Sequence, residues 1–89
     1  MRAIMNVVGP DRVGIIAGVS ALLAELNINI LDLSQTIMDG MFTMTLLVDT
    51  AGAAASFEDI RAALSDHGAR EGLSIRIQRE DTFTAMHRI

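Results

Sequence analysis

The sequence predicts an α+β sandwich: a four-stranded antiparallel sheet with two helices on one face, plus a short C-terminal tail. Three observations carry this. Two stretches place apolar residues at helical spacing, and strand-like stretches flank each of them. Asp39-Gly40, a strong hairpin signal, stands between the second and third strand-like stretches. Each half therefore reads strand, helix, strand, and the whole order is β-α-β-β-α-β.

The elements follow in order. Residues 2–8 are β-prone and run into Gly9-Pro10, a breaker pair that should end the strand. Residues 12–26 set Ile15, Val19, Leu22, Leu23 and Leu26 at helical spacing, with Asp11 placed to cap the start and Asn27 the end. This helix is apolar almost all round, so its outer side is expected to meet a partner. Residues 28–38 form a second strand whose alternation slips: Ile28 and Ile30 share one face, Leu31 and Leu33 the other. Such a slip marks a β-bulge. Residues 41–48 put Phe42, Met44, Leu46 and Val48 on one face and Thr43 and Thr45 on the other. Ser56 reads as the cap of a second helix, with Glu58 and Asp59 in its first turn and Phe57, Ile60, Ala63 and Leu64 as its buried stripe. It should end near Gly68 or a little later. Residues 73–79 alternate Leu73, Ile75 and Ile77 against Ser74, Arg76 and Gln78. In the tail, Phe83 and Met86 are spaced for one inward-packing helical turn. This is the ferredoxin-like arrangement, over a single domain of residues 1–89, and its open sheet face needs the tail or a second chain as cover.

Composition narrows the function classes. The chain has 89 residues, 51% hydrophobic, with mean hydropathy +0.39. That is more apolar material than so small a domain hides easily, which points to a homodimer. The net charge is −4 and the seven basic residues, all Arg, are scattered, which speaks against nucleic acid. The absence of Cys removes disulfides and thiolate chemistry, and the absence of Lys removes Schiff-base side chains. Val13 to Leu26, interrupted by Gly14, Gly18, Ser20 and Glu25, is too short and broken to span a bilayer. The expectation is a cytoplasmic protein that binds no membrane.

Catalytic chemistry is not indicated. His67 and His87 have no second His at metal spacing; His67 suits the end of a helix and His87 a packing role in the tail. The adjacent Glu80 and Asp81 do not form a convergent acid pair, and Glu58 and Asp59 suit a helix start. The expectation is a non-enzyme that needs no cofactor or metal. Met5, Met38, Met41, Met44 and Met86 read as core or interface filler.

Val7-Val8-Gly9-Pro10-Asp11-Arg12-Val13-Gly14-Ile15-Ile16-Ala17, followed by Leu23-Ala24-Glu25-Leu26-Asn27-Ile28-Asn29-Ile30, resembles the start of ACT domains. The pattern is closest to those of formyltetrahydrofolate deformylase and of glycine-cleavage repressor proteins. Asp32-Leu33-Ser34-Gln35-Thr36 and the ending Phe83 to Ile89 resemble a family of free-standing single ACT domains. Many such relatives carry Pro where Val13 stands.

The resemblance implies a regulatory module that senses a small-molecule effector, an amino acid or related carboxylate, at a homodimer interface. The candidate ligand-binding residues are Gly9, Asp11, Arg12, Val13, Gly14, Ile15, Asn29 and Ile30, and the resemblance implies that Asp11, Gly14 and Ile15 of one chain face Asn29 and Ile30 of the other. Physical chemistry permits this, because a helix N-terminus suits a carboxylate and Asp11 suits an ammonium group. It equally permits a bland account: Asp11 caps the helix, the glycines tighten a turn, Arg12 is a solvated charge and Asn29 a solvated strand residue. Ser34 and Gln35 face opposite sides of their strand, as ordinary sheet decoration or as one interface contact. On the bland account the chain is a ligand-free dimeric module that docks a partner enzyme or regulator.

Overall fold

The structure, a computed structural model, describes residues 1–81 of the chain. The predictions for Phe83, Met86 and His87 lie outside the described residues. The elements are β1 (Arg2–Pro10), α1 (Ile15–Glu25), β2 (Asn29–Met38), β3 (Met41–Asp49), α2 (Phe57–Glu71) and β4 (Ser74–Arg79). They form one antiparallel sheet of order β2-β3-β1-β4, the predicted ferredoxin-like arrangement.

Strand alternation decides which face is buried. Ala3, Met5 and Val7 of β1, Phe42, Met44, Leu46 and Val48 of β3, and Ile75 and Ile77 of β4 all face the helices and are buried. Onto them α1 lowers Ile15, Val19 and Leu23, four residues apart on one stripe, and α2 lowers Ile60 and Leu64. Each large apolar side chain so buried contributes about 1.5–3 kcal/mol. Among the methionines, Met5 and Met44 are core, whereas Met38 and Met41 stay exposed. The opposite face carries Arg2, Asn6, Thr43, Thr45 and Arg76, with Ile4, Val8 and Leu47 between them. Thr45 donates to Asn6 across it at 3.1 Å.

Three boundaries depart from expectation. Gly9 and Pro10 do not end β1; they continue it, paired with Phe42 and Met41. Proline is tolerated there because it ends the strand. Helix α1 starts at Ile15 rather than near residue 12, and its N-cap is Gly14 in the left-handed region (φ 93°), with no side-chain cap bond. Asp11 is therefore not the cap, being three residues too early. At the other end the cap is Leu26, and Asn27 takes the following left-handed position (φ 58°). Only one stripe of α1 is buried, so Ile16 is 40% exposed.

Other signals hold. Asp39 and Gly40 both have positive φ, as a tight hairpin turn requires. Ser56 Oγ accepts from Asp59 N–H at 3.1 Å, and α2 runs on to Glu71. The bulge in β2 falls between Ile30 and Asp32.

Candidate ligand-binding site

The loop from β1 to α1 is anchored by backbone. Asp11 N–H donates to the Gly40 carbonyl at 2.8 Å, tying the loop to the β2–β3 hairpin. The chain then turns through Gly14 into α1. Gly18 N–H donates to the Gly14 carbonyl at 2.9 Å, so the N–H groups of Ile15, Ile16 and Ala17 lack intrahelical partners. These donors sit at a cleft of about 240 Å³, lined by Asp11, Arg12, Gly14, Ile15, Ile16, Ala17, Gln35, Ile37 and Phe42. That is below the roughly 300–1,000 Å³ typical of drug-sized ligands, so it suits a molecule of few heavy atoms. Apolar walls (Ile15, Ile37, Phe42), orphan N–H donors at the positive end of a helix, and the Asp11 carboxylate together match a small zwitterion.

The sequence-predicted residues divide. Asp11, Arg12, Gly14 and Ile15 line the cleft. Val13 does not; it is 97% exposed. Gly9 does not either: the space where its side chain would stand holds Leu73 Cδ2 at 2.6 Å and the Gly72 carbonyl at 3.1 Å. Its lack of a side chain serves the contact between β1 and the start of β4. Asn29 and Ile30 pair with Asp49 and Val48, at the far end of the sheet from Gly9, whose partner is Phe42. With about 3.4 Å per residue along a strand, the separation within one chain is roughly 24 Å.

Arg12 is an exposed charge held in an ion pair. Its Nη2 donates to Glu71 Oε1 at 3.0 Å and to the Glu71 carbonyl at 2.9 Å, at the C-terminus of α2. That hydrogen bond first, and the arginine's charge second, hold the Glu71 carboxyl below the usual carboxylate range. The guanidinium is thereby engaged before any ligand arrives, which leaves the helix N–H groups as the free donors of the cleft. Among the described residues His67 makes no side-chain hydrogen bond to a helix end; its ring lies beside Gly18, 3.4 Å from where a Cβ there would stand.

Gln35, Ile37 and Phe42 were missed as cleft residues. The signal was the β2 bulge. Ile30 faces the helices opposite Val48; without the extra residue, Ser34 and Thr36 would share that face. With it, Gln35 and Ile37 stand opposite Met44 and Phe42 on the helix side.

A βαββαβ sheet with a small cleft at the start of its first helix is the form of an ACT domain. The sequence profile of that family matches residues 2–78, and the chain belongs to it, a family whose members commonly serve as regulatory ligand-binding domains. Among full-length relatives, it is 52% identical over 89 residues, the whole of both chains, to a UPF0237 protein of Listeria monocytogenes serotype 4b. Among solved structures, an ACT domain protein from Streptococcus pneumoniae superposes with TM-score 0.81 at 37% identity, over 100% of this chain and 97% of that one. A formyltetrahydrofolate deformylase from Pseudomonas syringae matches with TM-score 0.79 at 28% identity, over 88% of this chain but 27% of its own length. A putative glycine cleavage system transcriptional repressor shares the fold, with TM-score 0.73 at 24% identity, over 86% of this chain and 44% of that one. No helix among the described residues is long and apolar enough to cross a membrane.

Proposed function

We propose that this chain is a non-catalytic regulatory ACT domain that binds an amino acid or related small carboxylate at the N-terminus of α1, within a homodimer. The observation that carries the reading is the cleft itself. Ile16 and Ala17, whose first-turn N–H groups have no intrahelical partner, and the Asp11 carboxylate, which makes no side-chain hydrogen bond among the described residues, border one small apolar-walled space. Ligand carboxylate would go to the helix and ligand ammonium to Asp11.

The homodimer is supported by β2. This ten-residue edge strand is exposed almost throughout, carries Leu31, Leu33, Ile37 and Met38 on its exposed surface, and has Asp32 as its single charge. A long, apolar, unguarded edge invites pairing. Antiparallel pairing of two copies about Leu33 would set Asn29 opposite the partner subunit's Ile37. That would bring Asn29 and Ile30 to the cleft that they cannot reach within one chain. Occupancy would then regulate by favouring one arrangement of the pair over another.

The engagement of Arg12 by Glu71 and the filling of Gly9's space by Leu73 favour the bland account for those two residues, and a ligand-free docking module is its full form. A thermal-shift screen of amino acids and small carboxylates, with sedimentation to read oligomeric state, separates the two. The proposal expects a dimer and at least one stabilising amino acid, at about 2.7 kcal/mol for a hundredfold excess over Kd. Asp11→Ala should abolish the shift and Leu33→Lys the dimer. A flat screen on a folded dimer would overturn the ligand reading.

A further inference from the structure

A larger cleft lies elsewhere. A groove of about 530 Å³ runs between α2 and the outer edge of β4, lined by Arg61, Ser65 and Ala69 of the helix and by residues 73–78. Arg61, Ser65 and Ala69 are four residues apart and form one rail of the groove, small at two of its three positions. Among the described residues β4 is the second edge of the sheet, since β1 is its one strand partner there. Arg61 Nη2 donates to the Ile77 carbonyl at 3.5 Å, so that carbonyl points away from β1. In an antiparallel pair alternate residues share this orientation, so the backbone groups of Ile75 also face outward. The long bond from Arg61 guards this edge weakly.

Charge indicates what the edge accepts. The chain as a whole is at −4, yet the groove lining contains Arg61 and Arg76 and no carboxylate. Arg79 adjoins it: Arg61 and Arg79 both stand over the Phe57 ring, 5.0 and 5.5 Å from its centroid. Glu58 offsets Arg61 at 2.8 Å, whereas Arg76 forms no ion pair among the described residues. β4 carries two arginines and no carboxylate, so pairing with a second copy of itself would gain no opposite charge. The apolar, nearly uncharged β2 is the edge suited to self-pairing.

We propose that the β4 edge is a docking site for an extended acidic segment of a partner protein, added as a fifth strand beneath α2. Backbone bonds to Ile75 and Ile77 would supply affinity; acidic side chains on the face that carries Arg76 would supply selectivity, with the alternate apolar side chains lying on the α2 side. The proposal is independent of the α1 cleft, and nothing in its test involves that cleft.

The probe is a fluorescent six-residue peptide alternating Glu and Val, titrated into the ¹⁵N-labelled full chain. Three controls accompany it: the same peptide with Lys for Glu, one N-methylated at alternate backbone positions, and the chain without peptide over a range of concentrations. Expected are shift changes and slowed exchange at the Ile75 and Ile77 amides, weaker binding at high salt, and at least tenfold loss in Arg76→Glu. The Lys and N-methylated peptides should not bind. Equal binding of the N-methylated peptide would reduce the groove to a charged patch and overturn strand addition. So would changes confined to β2. Concentration-dependent protection of Ile75 and Ile77 without peptide would assign the edge to a second copy instead.

Discussion

A single methyl group at Gly9 tests whether that residue serves the cleft or the fold. An added Cβ would stand 2.6 Å from Leu73 Cδ2 and 3.1 Å from the Gly72 carbonyl oxygen. The first contact is relieved only if Leu73, 8% exposed and part of the core, leaves its position. The second is backbone and cannot rotate away. Overpacking of this kind costs about 1–3 kcal/mol. Against it stands a gain of about 0.4–1 kcal/mol, because alanine narrows the unfolded ensemble. The net for Gly9→Ala is a loss on the order of 1–2 kcal/mol, or roughly 4–16 °C in Tm for a domain of this size. Denaturant unfolding of Gly9→Ala, Leu73→Ala and the double variant measures the coupling. Leu73→Ala alone should cost about 2–5 kcal/mol. In that background the 2.6 Å contact is gone and only the backbone contact remains, so the double variant should be more stable than the sum of the singles by at least about 0.5 kcal/mol. Strict additivity, or a neutral Gly9→Ala, would refute the packing role and return Gly9 to the ligand.

Three further outcomes follow from the same structure. Gly68→Ala should lower stability by about 1–2 kcal/mol despite the better helix propensity of alanine, because its Cβ would meet the Leu73 carbonyl at 2.6 Å and Ile75 Cγ1 at 3.3 Å; calorimetry of the two proteins decides. Gly14 has open space around it but φ of +93°, so Gly14→Ala should cost about 1–2 kcal/mol through backbone strain alone. Gly14→Asn should recover part of that in the same unfolding assay. Glu71, held low by the Arg12 hydrogen bond, and Asp49, held low by the Ala51 N–H and then the N-terminal ammonium, both have depressed folded values. Their contribution is present above the ordinary carboxylate range and is lost as pH falls through the folded values. Both groups are exposed, so the effect is small. Arg12→Ala should flatten the Glu71 part of this acid limb in a pH series of unfolding midpoints.

Much of the architecture was legible because it depends on local rules. The alternation of Phe42, Met44, Leu46 and Val48 marks a half-buried strand whatever its neighbours are. Asp39-Gly40 marks a turn because both residues tolerate positive φ. Ser56 marks a helix start because its hydroxyl can serve the backbone three residues on. Where local signals conflicted, the reading failed. Gly9-Pro10 carries breaker chemistry, yet β3 opposite extends to Met41 and keeps β1 in register to its end. Asp11 has cap chemistry, but its N–H is held by the Gly40 carbonyl and the turn is completed at Gly14.

The site was legible only by segment. Glycines, an aspartate and a helix start at 9–15 pointed to the right loop, since a cleft at a helix N-terminus needs those residue types there. Which of them face the cleft depends on contacts between residues far apart in the chain. Leu73 fills the space beside Gly9, and Glu71, 59 residues along, takes the Arg12 guanidinium. Gln35 and Ile37 enter the cleft because one extra residue in β2 turns its second half over. Periodicity, turn chemistry and capping act within a few residues and so can be read from order alone. Arg12's partner, Gly9's neighbour and the two unequal sheet edges arise only when the strands take the spatial order β2-β3-β1-β4, because that order, not the chain, decides which residues meet.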